Sequence, residues 1–328
     1  GSSADRLVLR LAGLATTRIE RRNDNDGDSD KMVYTAKDEF LSFDIQLASF
    51  GGKATAGSHS FPFSVMLPPD LPPSMKERGN SGECAISYCF EARLHRPGIL
   101  NFDAKTLSEL KVLSKPQETA ATTSVLVGPE THRVKKCCCF NSGSMSIAFQ
   151  ADRSVVGVND SVGLTIVARN DSSSVVKSMH LNIVQVCTWY ARGYKEARKR
   201  VVTSLAVSGS QLGDVQRAAE EGNQRGRSAV AVDHAARTYL QELLTARAGT
   251  RYELLVPGDC LFTLKTALIE VRHFLSVRLK TPTCVSSPDI SMSLRVQART
   301  VAVVMCAPPE ANPVELPSVE AVPFAATV

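Results

Sequence analysis

Long apolar runs are missing from this chain: no window of its 328 residues reaches the ~18 uncharged apolar residues of a membrane-spanning helix. Nor is the amino end patterned like a secretory leader, which needs a basic start, an apolar middle and a small-residue cleavage site. Aromatic residues are scarce at 6%, and tryptophan occurs once. That leaves no aromatic platforms interleaved with basic residues on which bases could stack, and it argues against a nucleic-acid partner. Strong charge of one sign is also absent, since a formal +5 is too mild by itself to imply a polyanion. The nine cysteines are odd in number and scattered without framework spacing, which favours a reducing compartment over a disulfide scaffold.

The usual marks of catalysis are missing too. There is no Gly-x-Ser-x-Gly elbow, no His-Glu-x-x-His and no dinucleotide fingerprint, and the six histidines are dispersed. Gly51-Gly52-Lys53-Ala54 has neither the spacing nor the hydroxyl residue of a phosphate loop. The run from Asp24 to Asp30 offers oxygens at alternate positions, as a calcium loop would. An EF-hand loop needs Gly at its sixth position and Glu at its twelfth, and here Ser29 and Thr35 stand there. A solvated hairpin loop is the better reading. The sequence therefore predicts a non-enzymatic protein with no cofactor and no metal.

What is present is a globular composition, 43% hydrophobic and 22% charged, in which period-2 alternation dominates. Ile86, Tyr88, Phe90, Ala92 and Leu94 share one face of a strand. So do Met145, Ile147 and Phe149; Val162, Leu164, Ile166 and Ala168; and Ile290, Met292, Leu294 and Val296. The stretch GSHSFPFSVMLPPDLPP alternates through Phe61, Phe63, Val65 and Leu67, as on a half-buried strand, before two Pro-Pro pairs end it. Such strands, split by Asn-Asp, Pro-Gly and serine-rich turns, predict an all-β fold of two tandem antiparallel β-sandwiches. The boundaries read as residues 1–128 and 141–306, with a linker over 129–140 and a proline-rich tail over 307–328. Within 209–250 the period becomes helical: Val232, Ala235, Ala236, Tyr239, Leu240 and Leu243 recur at three- and four-residue steps. This insertion in the second sandwich is either a partner-binding helix or one docked on its own domain.

Three clusters could carry function. Arg192, Lys195, Arg198, Lys199 and Arg200 form the densest basic run, opposed only by Glu196. On a strand Arg198 and Arg200 share one face and Lys195 and Lys199 the other, although a hairpin tip at Gly193 would gather Arg192, Lys195 and Arg198. The run is a docking surface for acidic tails, acidic lipid headgroups or an acidic protein patch, or it is a solvated rim. Arg133, Lys135 and Lys136 precede Cys137, Cys138 and Cys139. Basic neighbours lower thiol pKa, so these cysteines are candidates for S-acylation; the alternative is packing as small apolar residues. Trp189 and Tyr190 point to opposite faces of a regular strand, which puts one of them in a core.

GSHSFPFSVMLPPDLPPSM followed by GECAISYCFEARLHRPG resembles the first domain of arrestin-like proteins. CCCFNSGSMSIAFQADRSVVGVNDSVGLTIVARNDSSSVVK resembles the start of their second domain, and TWYARGYKEARKRVV and LLVPGDCLFTLKTALIEVRHFLSVRLKTP resemble later strands. The ordered succession covers roughly residues 4–306, and the nearest subgroup is the α-arrestins, the arrestin-domain-containing adaptors. Two departures stand out. The family's two opening strands, before the segment resembled by LVLRLAGLATTRIE, have no counterpart, so either the chain is a fragment or its first sheet is incomplete and must cover an open edge. No Pro-Pro-x-Tyr occurs, so no motif for WW-domain ligases is present. The resemblance implies a non-enzymatic cytoplasmic adaptor or scaffold, peripheral at the plasma membrane or endosomes. Its partners would be membrane-protein cytoplasmic tails or trafficking factors, bound through sheet faces, edge strands and basic loops. The alternative is a structural subunit of a coat-like or cytoskeletal assembly.

Overall fold

The computed structural model describes residues 2–22, 31–55, 57–97, 102–113, 124–136, 140–212, 237–244, 246, 249–282 and 287–298. In chain order these form β1 (Ser2–Arg22), β2 (Lys31–Ala54), β3 (Met75–Gly79), β4 (Gly82–His95), β5 (Ala104–Leu110), β6 (Val125–Lys136), β7 (Phe140–Ala151) and β8 (Val155–Gly157). There follow β9 (Ser161–Ser172), β10 (Ser178–Ala191), β11 (Tyr194–Ser208), a helix α1 over 237–244, β12 (Thr250–Leu255), β13 (Leu264–Lys265), β14 (Ile269–Lys280) and β15 (Asp289–Gln297). Among the described residues the fold is all-β apart from α1 and one short 3-10 turn, as the alternation predicts.

The second half is a sandwich of two sheets. One has the order β11-β10-β14-β15-β8 with β13 added to β14; the other runs β12-β9-β7-β6. Between them lie Met145, Ile147 and Phe149 of β7, Val162, Leu164 and Ile166 of β9, and Ile290, Met292, Leu294 and Val296 of β15. These are the alternating residues of the sequence, and burying each stabilises the fold by about 1.5–3 kcal/mol at most.

Within the segment read as a linker over 129–140, residues 129–136 lie on β6 of this sheet. β6 pairs with β7 from Val125 opposite Ala151 to Lys136 opposite Phe140, and Val134 is fully buried. A register shift between Val127 and Glu130 offsets the alternation by a bulge, which hides the strand from a period-2 reading. The helical segment of the insertion packs on its own domain: Leu240 and Leu244 of α1 meet Ala148 and Val167 on the outer face of β7 and β9. Val232, Ala235 and Ala236 lie outside the described residues, as does the tail.

In the first half a five-stranded sheet has the order β2-β1-β4-β3, with β5 also on β4. Its apolar face carries Leu9, Leu11, Ala15 and Ile19 of β1 beside Cys84, Ile86 and Tyr88 of β4. Residues 57–73 run over the far end of this face. Phe61 meets Phe50 edge-on at 6.1 Å, Phe63 meets Phe90 at 5.5 Å, and the Tyr88 hydroxyl donates to the Pro72 carbonyl. The strand expected at Phe61–Leu67 is corrected: the segment is extended but belongs to no ladder among the described residues. Its alternation survives only weakly, with Phe61 and Val65 half-buried while Phe63 and Met66 are 48% and 94% exposed. The outer edge of the sheet is β2, which pairs only with β1 among the described residues.

The near end of the same face is covered by the second domain. Along β10, Met179, Leu181 and Ile183 face the second core, while Cys187, Trp189 and Ala191 on the same side face the first. Along β14, Leu275, Val277 and Leu279 serve the second core and Ile269 and Val271 the first. One sheet therefore serves two cores.

Candidate functional site

The β10–β11 hairpin turns at Arg192-Gly193, whose φ angles of 49° and 83° suit a tight two-residue turn that joins strands without splaying them. Ala191 pairs with Tyr194, and the ladder continues through Glu196 opposite Trp189, Arg198 opposite Cys187 and Arg200 opposite Gln185. This parity splits the basic run. Glu196, Arg198 and Arg200 lie on the side of the sheet that meets the first domain, and Lys195 and Lys199 lie on the other.

The first set is occupied within the molecule. Arg198 Nη1 donates to Glu77 Oε1 at 2.6 Å and to the Arg78 carbonyl, and Arg200 pairs with Asp259 at 3.2 Å. Glu196 receives Arg21 Nη1 at 2.8 Å, while Arg21 Nη2 donates to the Lys195 carbonyl at 2.7 Å. Tyr194 stacks on Tyr34 with ring centres 4.0 Å apart, and Thr17 Oγ1 donates to the Tyr190 carbonyl at 2.7 Å. Trp189 is fully buried and Tyr190 is 38% exposed. The tip is thus fastened to the first domain, and it does not gather Arg198 with Arg192 and Lys195.

Behind the tip lies a buried polar layer. Gln185 Nε2 donates to Glu77 Oε2 at 3.3 Å, and Gln185 Oε1 accepts from the Leu261 N–H at 3.0 Å. His273 Nδ1 stands 2.9 Å from Thr263 Oγ1, which also accepts from the Val296 N–H, and His273 Nε2 stands 3.4 Å from Cys260 Sγ. A thiol beside an imidazole invites a nucleophile reading. Burial, reinforced by the Arg200 guanidinium, lowers the His273 pKa to about 4; burial raises that of Cys260 to about 12. Both groups are then neutral at physiological pH, the opposite of an activated thiolate–imidazolium pair. These groups join the layers.

The second set faces outward. Lys195 and Lys199 are exposed, Arg192 is exposed at the turn, and the register places Lys199, Val186 and Arg272 in one row across β11, β10 and β14. Arg272 is exposed, lies 5.8 Å from the Phe274 ring centre and pairs with Glu270 at 3.6 Å. Sequence reasoning missed Arg272 because it lies far along the chain and enters the row only through strand pairing. Arg133 and Lys135 are exposed on β6, in the other sheet. β11 borders β12 whereas β15 borders β6, so these two lie on the opposite flank of the sandwich from the hairpin. The Lys136 side chain, Cys137, Cys138, Cys139 and the run from Asp24 to Asp30 lie outside the described residues. Among the described residues no helix is long and apolar enough to cross a membrane, and no group of His, Cys, Asp or Glu is arranged to hold a metal.

Residues 2–118 match the family model for the N-terminal domain of arrestin (or S-antigen), and residues 141–298 match that for its C-terminal domain. The chain belongs to the arrestin family. Arrestin-family proteins are generally non-enzymatic adaptors that bind other proteins. The arrestin order explains the two cores: the first matched domain supplies the five-stranded sheet, the second the sandwich, and the β10–β11 hairpin reaches from one to the other.

Proposed function

We propose that this arrestin-family chain is a non-enzymatic adaptor of the α-arrestin type, which captures acidic cytoplasmic tails of membrane proteins on the outer face of its β10–β11 hairpin. The observation that carries this is the exposed set Arg192, Lys195, Lys199 and Arg272, which faces away from both cores. Cations held on a rigid ladder are preordered, so an acidic segment meets several without ordering each in turn. Acidic lipid headgroups would be drawn to the same face, which suits a cytoplasmic protein recruited to membranes. The long edge of β2 and the extended Phe61–Leu67 segment, with Phe63 and Met66 exposed, add backbone and apolar groups for a bound strand.

The test is capture from cell lysate by the full chain and by a Lys195→Glu/Lys199→Glu/Arg272→Glu variant. The expected result is loss of partners with acidic tails from the variant, with unchanged thermal stability. An identical partner set would overturn the site. Recovery of the protein only within one stoichiometric particle would favour the structural-subunit alternative.

A further inference from the structure

Two thiols face each other across the boundary between the domains. Cys84 on β4 lies opposite Thr17 of β1 and Glu77 of β3; Cys187 on β10 lies opposite Arg198 of β11 and Val271 of β14. Their sulfurs are 3.7 Å apart, about 1.7 Å more than an S–S bond. The layers approach closely here. Thr17 bonds directly to the Tyr190 carbonyl, Trp189 Nε1 donates to the Arg18 carbonyl at 3.4 Å, and a Cβ on Gly79 would stand 2.7 Å from the Trp189 ring. Side-chain rotation with a small shift of one layer would therefore bring the sulfurs to bonding distance. Of the other described cysteines, Cys89 points from the opposite face of β4 and Cys260 is engaged with His273 and Gln185.

We propose that Cys84 and Cys187 form a reversible disulfide that fastens the two domains together when the protein meets a hydroperoxide. This is independent of the adaptor reading.

In the closed molecule the pair is protected. Both residues are buried, and the hydrogen bond with Cys187, followed by burial, raises the Cys84 pKa and keeps the thiol protonated. The reactive species is the thiolate, so oxidation requires the interface to open. One thiolate then attacks the O–O bond of ROOH, taking one oxygen to become a sulfenic acid and releasing ROH. When the layers close, the second thiol attacks the sulfenic sulfur, the S–S bond forms and water leaves. The two thiols lose two electrons and two protons, and ROOH becomes ROH and water. A dithiol reverses the step by exchange. The pair thus records that the domains have parted and locks them once they return.

The full chain is treated with hydrogen peroxide, quenched with N-ethylmaleimide in denaturant and mapped without reduction by mass spectrometry. The expected product joins the Cys84 and Cys187 peptides, disappears with dithiothreitol, is absent from a Cys84→Ala variant and accompanies a higher thermal midpoint. Arg198→Ala, which loosens the interface, should speed the linkage several-fold. The proposal is overturned if both thiols still take the maleimide after exposed cysteines have reacted, or if either is over-oxidised or bridged elsewhere. An unchanged rate in Arg198→Ala overturns the opening-dependent route.

Discussion

Gln185 and His273 stand opposite each other in the β10–β14 ladder, each 1% exposed, at the row where one sheet face passes from the second core to the first. Continuing apolar residues through this row would merge the two cores into one greasy layer with no fixed relation between the domains. A polar pair needs particular partners, and it finds them in Glu77 from one domain and Cys260, Thr263 and the Leu261 N–H from the other. Buried polar groups are costly unless satisfied, so the row fixes where the layers meet.

Stability should fall with mild acid because of His273. Its pKa is lowered from 6.5 to about 4 in the folded protein. The unfolded chain therefore binds the proton first, and the stability contributed by the neutral ring is complete above 6.5 and lost as the pH falls from there towards 4. At ~1.4 kcal/mol per unit, acidification from 6.5 to about 5 should remove roughly 2 kcal/mol. The groups that face the ring are Gln185, Cys260 and Thr263, with the Arg200 charge nearby. Denaturant melts across this range should show the slope, and His273→Gln should flatten it whatever that variant does to stability at neutral pH.

The Glu77–Arg198 pair gives a second expectation. Glu77 is nearly buried, while the Arg198 side chain is 44% exposed, so water screens part of the attraction. Arg198→Ala should cost about 1–2 kcal/mol, chiefly by leaving the Glu77 carboxylate short of a donor. Glu77→Gln in that background should recover part of the loss, because an amide is cheaper to bury than a carboxylate. A double-mutant cycle by chemical denaturation measures this; purely additive losses would show that the pair is not coupled.

Much of the fold was legible because half-buried strands write their burial into every second residue. Met145, Ile147 and Phe149 are all fully buried, as are Val162 and Leu164. The failures have physical causes. β6 carries a bulge that shifts its phase, and Phe61–Leu67 alternates yet has no hydrogen-bonded strand partner among the described residues, since pairing is a property of two segments. The polar row was invisible for a related reason: Gln185 and Glu77 are 108 positions apart, and Arg198 and Glu77 are 121 apart. Parity on the hairpin could be read locally, whereas which face would be covered by the other domain could not.

The cover over the first sheet should be uneven in its energetics. Leu11 is 1% exposed on the face crossed by residues 57–73, so Leu11→Ala should cost about 2–4 kcal/mol. Met66, within the covering segment, is 94% exposed, and Met66→Ser should change stability by less than ~0.5 kcal/mol. Thermal melts of the two variants decide it. A large loss from Met66→Ser would mean that the segment packs more deeply than its extended, ladder-free course indicates.

The helix α1 should come off as a unit of its own. It contacts its domain through Leu240 and Leu244, which are 0% and 3% exposed against Ala148 and Val167, and Arg169 lies 5.5 Å from the Tyr239 ring centre. A short surface helix does not hold in water without such packing. Leu240→Ala should therefore remove about 2–3 kcal/mol of local stability, while β7 and β9, held by their own ladder and by the core on their other face, keep theirs. Hydrogen exchange separates the cases. Amides of α1 should lose protection in Leu240→Ala while those of Ile147 and Leu164 do not; equal loss in helix and strands would show instead that the helix folds only together with the sandwich.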